Sequence, residues 1–184
     1  MALTLMAIGA SAVMAMQKAS VQGNLDARRA DVANSIERLW VERLRRDAML
    51  WTLPSPANPA GNNFTGTKFL NNVTGTWFLP NALVAAAVPI SPAFDILGRD
   101  LADVSQARFC VHLRLTWLVQ NVANPQDSLI RADVRVLWAR SMSDPSAAIG
   151  AAVCDATVAT ADAPDPLKYQ SIYTTTAIRQ NGVP

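Results

Sequence analysis

His112 is the one histidine in the 184 residues, and that removes most nucleophilic hydrolysis from consideration. A Ser-His-Asp or Cys-His set needs an imidazole held by a third group. None can be built without His112. Alternation puts His112 on the less apolar side of a strand, where a solvated or hydrogen-bonded role is the expectation. The two cysteines and the histidine have no zinc-ligand spacing. The chain carries no G-x-x-x-x-G-K-[ST] and no G-x-G-x-x-G. Asp95, Asp100 and Asp103 crowd one loop but lack the order and closing glutamate of a calcium loop. They are expected to be solvated. No pair of carboxylates stands out for acid–base work. The expectation is no catalytic residue, no metal, no cofactor, no small-molecule substrate and no enzyme.

Cys110 and Cys154 are the remaining reactive groups. An even count favours one disulfide in an exported domain. Two separate buried thiols are the alternative, because sequence alone does not bring two Cα atoms within bonding range. Asn63-Phe64-Thr65 and Asn72-Val73-Thr74 match the N-glycosylation pattern. In so Asn/Thr-rich a stretch they carry little weight.

The elements that must hold these groups follow from periodicity. In residues 107–120, Phe109, Val111, Leu113, Leu115, Trp117 and Val119 alternate with Cys110, His112, Arg114 and Thr116. That predicts a long half-buried strand. Residues 130–140 and 169–180 alternate in the same way. Asn124-Pro125 marks a turn that pairs the first two strands as a hairpin. Asp144-Pro145, Pro164 and Pro166 punctuate a long connection holding Cys154. Residues 54–105 are rich in Pro, Asn, Gly and Thr and read as a loop region, with a short helix or turn over 92–105.

An antiparallel sheet with one apolar face needs a cover, and residues 1–53 supply it. They contain no proline before Pro54 and predict one long helix. The first charge is Lys18. Leu3, Leu5, Met6, Ile8, Val13 and Met14 give the start an apolar character suited to a membrane or a helical bundle. Spanning a bilayer takes about 20 apolar residues, so the run is slightly short. A buried core helix is the plain alternative. Farther on, Leu25, Val32, Ile36 and Leu39 share a face, with Ala33, Trp40 and Leu44 beside them. That face is expected to cover the sheet, with Arg43 snorkelling from its edge to water. The fold class expected is α+β: residues 1–20 a membrane or filament part, 21–184 a globular domain, with its sheet over 106–180.

Charged residues make up 16%, low for a cytosolic enzyme and suited to a tethered or assembled protein. The net charge of +2 is too small for a nucleic-acid partner. Arg28, Arg29, Arg43, Arg45 and Arg46 are interleaved with Asp26, Asp31, Glu42 and Asp47.

The runs MALTLMAIGASAVMAMQ and GNLDARRADVANSIERLWVERLRRDAMLW resemble the N-terminal helix of type IV pilin-like proteins, and among them the PilV-like minor pilins. VRVLWARS, the late cysteine and YTTTAIRQ resemble the C-terminal half of the same family. The leader, cleavage site and early glutamate of that family do not occur in this chain. Met1 stands where the family often has valine, so a start assigned too late is the expectation. The resemblance implies a long helix packed on an antiparallel sheet. It implies residence in the inner membrane with a periplasmic domain, then in a pilus at the cell surface. It implies major and minor pilin subunits and a prepilin peptidase as partners. A type II secretion pseudopilin is the neighbouring alternative. A secreted binding domain behind a signal peptide, or a membrane-anchored enzyme, are alternatives of other classes.

Overall fold

A computed structural model describes residues 2–54, 56, 59, 61, 63–80, 90–121, 128–140, 154 and 164–180, with backbone alone over 2–9. The helix α1 spans Ala2–Thr52. It runs this far because Ala, Leu, Arg and Met dominate and no proline intervenes. Pro54 lacks the N–H that would continue it. Five strands follow: β1 (Trp77–Phe78), β2 (Ala93–Phe94), β3 (Phe109–Val119), β4 (Leu129–Ala139) and β5 (Tyr169–Arg179). All pair antiparallel, in the order β1-β3-β4-β5, with β2 also on β3. The arrangement is α+β: one long helix packed on a five-stranded antiparallel sheet.

The three long strands match their expected spans to within two residues. The turn at Asn124-Pro125 lies outside the described residues, as do residues 141–153 and 155–163 of the long connection. β1 and β2 are too short to leave a periodic signal. They sit where a loop and a turn were expected, and Val104–Gln106 forms a single 3-10 turn after them. Gly98, at φ +76, closes the turn after β2 against the helix. A Cβ there would come within 3.2 Å of Val32 Cγ1.

Between helix and sheet lies the core. Ala33, Ile36, Trp40, Leu44, Ala48 and Trp51 are buried against Phe109, Val111, Leu113 and Leu115 of β3 and Ile130, Ala132, Val134 and Val136 of β4. Trp40 meets Phe69 edge-on at 5.2 Å, and Trp51 meets Phe64 and Trp117 at 5.0 and 6.0 Å. Such pairs add about 0.5–1.5 kcal/mol beyond area burial.

The covering face corrects the expectation. Ile36, Trp40 and Leu44 are buried and Val32 half-buried. Leu25 and Leu39 are exposed, at 47% and 38%. At 100° per residue the buried stripe is centred on Ala33, Trp40, Leu44 and Trp51, about a quarter turn from the face through Leu25, Val32 and Leu39. Two tryptophans outweigh three aliphatic side chains, because a larger ring removes more apolar surface from water. Arg43 is a second correction. It does not snorkel: its side chain, 12% exposed, pairs with Asp100 at 2.6 Å.

β3 is also buried on both sides over its first half, not half-buried as alternation suggests. Cys110 and His112 are fully covered.

Candidate functional site

Two regions invite a function: the first half of the helix and the outer face of the sheet. Every described residue from 10 to 25 is exposed. Val13, Met14, Met16, Val21 and Leu25 are between 47% and 73% exposed. At 1.5 Å per residue this bare length is about 24 Å. A helix of that length is marginal in water by propensity alone and draws its stability from packing. Lys18 is the one charge on it. Leu3, Leu5, Met6 and Ile8 continue the same helical backbone, and their side chains lie outside the described residues. Among the described residues, no helix is long and apolar enough to cross a membrane.

The second half of the helix is fastened by polar groups that periodicity did not single out. Asp47 is buried and accepts hydrogen bonds from three successive backbone amides: Lys68 at 2.7, Phe69 at 2.7 and Leu70 at 2.9 Å. A buried carboxylate needs such charge-assisted partners, and here they tie the helix to the loop beside it. Arg43 holds Asp100, whose other oxygen accepts the Ser91 N–H at 3.1 Å. The Arg43 guanidinium also lies over Trp40, 4.9 Å from the ring centre. Gln180, after β5, donates to the carbonyls of Gly61 at 2.9 Å and Trp51 at 3.4 Å. Glu37 is buried on the same helix, and its Oε1 has no hydrogen-bond partner among the described residues. Burial holds its carboxyl above the usual range, against the lowering effect of Arg38.

Of the loop carboxylates, Asp95 and Asp100 hold structural contacts, and Asp103 is exposed as expected. Asp95 accepts from the N–H groups of Leu97 and Arg99 and from Arg99 Nε. Its slight burial raises the carboxyl, but these bonds outweigh it and hold the group low. Asp103 accepts from the Ser105 N–H and is lowered by that contact. The described residues contain no group of three or more potential metal ligands.

Across the outer face the register stacks polar residues in rows. His112 pairs with Arg135 and Arg135 with Tyr173; Trp77 pairs with Arg114, Arg114 with Asp133 and Asp133 with Thr175. Asp133 is buried and receives Thr175 at 2.6 Å, and Arg131 and Arg114 at 2.9 Å each. Burial pushes its carboxyl up, yet those three donors win and hold it below the usual range. Arg135 Nη2 lies 2.9 Å from His112 Nδ1. A guanidinium can only donate, so Nδ1 is the acceptor and the ring proton sits on Nε2. Both Arg114 and Arg135 lie over the Trp77 ring, at 4.7 and 4.2 Å. Cys110 and Cys154 are joined, with Cα atoms 5.6 Å apart, and anchor the long connection to β3. The expected disulfide is therefore present, and His112 has the hydrogen-bonded role rather than the solvated one.

The sequence-derived residues thus divide. Ile36, Trp40 and Leu44 meet at the core, Val13 and Met14 project from it, and Leu25 and Leu39 join neither the core nor its edge. Missed were Asp47, Trp51 and the outer-face arginines. A weighting of the helix by side-chain size finds Trp51; nothing local marks Asp47, whose partners lie more than twenty residues away. No family model, curated protein or solved structure matches the chain.

Proposed function

We propose that this chain is a structural assembly protein, a PilV-like minor pilin of a type IV pilus. The observation that carries the reading is the bare first half of α1: residues 10–25 exposed throughout, with Val13, Met14, Met16, Val21 and Leu25 uncovered. A folded domain gains nothing from presenting such a length to water. Packing it among other helices removes that apolar surface from solvent.

The mechanism is transfer of one helix between two apolar surroundings. In the inner membrane, the uncharged start of the helix lies in lipid. In the filament the same surface packs beside major and minor pilin subunits, and the domain primes or caps the assembly. The prepilin peptidase acts on the full-length precursor. The resemblance of the N-terminal runs supports the same reading, and a type II secretion pseudopilin belongs to the same class.

Met14→Glu tests it. Met14 is 69% exposed, so the domain should keep its melting temperature. A charge in the membrane costs at least about 2.5 kcal/mol, so filament incorporation in the native host should fail. Undiminished incorporation of the variant would overturn the reading.

A further inference from the structure

The helix face through Leu25, Val32 and Leu39 does not cover the sheet, yet it is not an ordinary solvated face either. At 100° per residue, Met14, Val21, Leu25, Val32, Leu39 and Leu50 fall within about 20° of one line along α1. Met14, Val21, Leu25 and Leu39 are between 38% and 69% exposed. The turn after β2 abuts this line at Val32, where Gly98 sits, and adds Ile96 and Leu97, 55% and 68% exposed. Toward the helix end the line opens into a hollow of about 500 Å³ bordered by Leu39, Leu50 and Phe69. From Met14 to Leu50 the track is about 54 Å long, at 1.5 Å per residue. A contiguous apolar track of that extent marks an interaction site.

Its free charges are of one sign. Lys18, Arg28 and Arg46 lie within about 40° of the line, and all three are exposed. Lys68 is exposed beside the hollow. Among the described residues, none of these four side chains pairs with a carboxylate. Arg43, also near the line, is neutralised by Asp100. The acids of α1, Asp26, Asp31, Glu37, Glu42 and Asp47, are turned about 60° or more from the line. The nearest, Asp47, is spent on three backbone amides, and Glu42 pairs with Arg45. Residues 81–89, which lead into Ile90 at the hollow, contain no acid.

We infer that this face docks an acidic amphipathic helix of another protein, its aliphatic stripe on the track and its carboxylates opposite Lys18, Arg28 and Arg46. The inference rests on the assembly reading and deepens it by giving the neighbour's chemistry. A second copy docked face to face opposes cations to cations, which is unfavourable. A flat anionic bilayer meets the bare half of the helix but does not enter the hollow beside Phe69. A large apolar side chain from a packed helix does, as a knob fills a hole.

The test uses the full chain in a mild neutral detergent and three labelled helical peptides of about 35 residues, long enough to follow the track. Each has the same leucine stripe, flanked by Glu, by Gln or by Lys. Fluorescence anisotropy at low salt should show the Glu peptide binding about tenfold more tightly than the Gln peptide, as a few exposed ion pairs allow. The Lys peptide should bind most weakly, and added salt should erase the difference. The double variant Lys18→Glu, Arg28→Glu should reverse the order of the Glu and Lys peptides. Leu25→Ser, at a position 47% exposed, should weaken all three. Arg179→Glu changes a charge on exposed β5, away from this face, and should leave binding as it was. Equal binding of the three peptides, an order the double variant does not reverse, an equal loss from Arg179→Glu, or a chain that pairs with itself in preference to the Glu peptide would each overturn the inference. Any of these beside failed filament incorporation of Met14→Glu would remove the acidic neighbour and leave the assembly reading standing.

Discussion

The two halves of α1 share a backbone conformation and nothing else. From 10 to 25 the side chains meet solvent; from Ala33 to Trp51 one stripe is buried without a break. The second half is helical because the sheet demands a lid. It is pinned by aromatic rings, by the Asp47 carboxylate on three amides and by the Arg43–Asp100 pair. Among the described residues the first half shows no such tie to the sheet or loops and is continuous with the second. One secondary-structure element thus has two environments, packed on the sheet at one end and exposed at the other.

Cutting the helix breaks that comparison most severely. A chain beginning near Val21 should be soluble, monomeric and cooperative in thermal unfolding. One beginning near Ala48 loses Ala33, Ile36, Trp40 and Leu44, all buried, and should aggregate or melt without a transition. Equal folding of the two would show that the helix is no lid. A finer cut compares neighbours. Ile36→Ala, at 1% exposure, should cost about 2–5 kcal/mol in denaturant unfolding. Leu39→Ala should stay within about 1 kcal/mol, as an exposed position does. Reversal of that order would return the covering face to the one through Leu39.

The smallest effect concerns Glu37. Its folded carboxyl is raised above the ordinary 4.5 by burial. The folded state therefore holds its proton more tightly than the unfolded chain does. The associated stability is present below 4.5 and is lost as pH rises through the folded value. Glu37→Gln should stabilise the domain by about 1 kcal/mol at pH 7 and by less at pH 4, read from thermal melts. Asp133 runs the other way. Its lowered carboxyl contributes stability above the ordinary 3.8 that is lost as pH falls through its folded value.

The sequence made the architecture legible where periodicity was strong. Pro54 gave the helix end, and three alternating runs gave β3, β4 and β5. The rotation of the helix was misread because Leu25, Val32 and Leu39 line up as well as Ala33, Trp40 and Trp51 do; what separates them is the size of the rings. The outer face was less legible. Cys110, His112 and Arg135 look like the polar side of a half-buried strand, yet all are buried. Their cover comes from distant residues, which alternation along one strand does not register. Asp47, one acid among the helix arginines, gives no local sign of its partners, the amides of Lys68, Phe69 and Leu70.

The Gln180 amide reaches back to the Trp51 carbonyl, 129 positions earlier in the chain. This contact and β5 set the timing of folding during synthesis. Until Tyr169–Arg179 emerges, β4 has one bare edge and the helix has no closing strand beneath it. Exposed edges and apolar faces of that kind invite association with the wrong chain. The domain thus remains open until β5 leaves the ribosome, and a transcript truncated before Tyr169 yields a helix with a sticky half-sheet, a substrate for proteolysis rather than a smaller working protein.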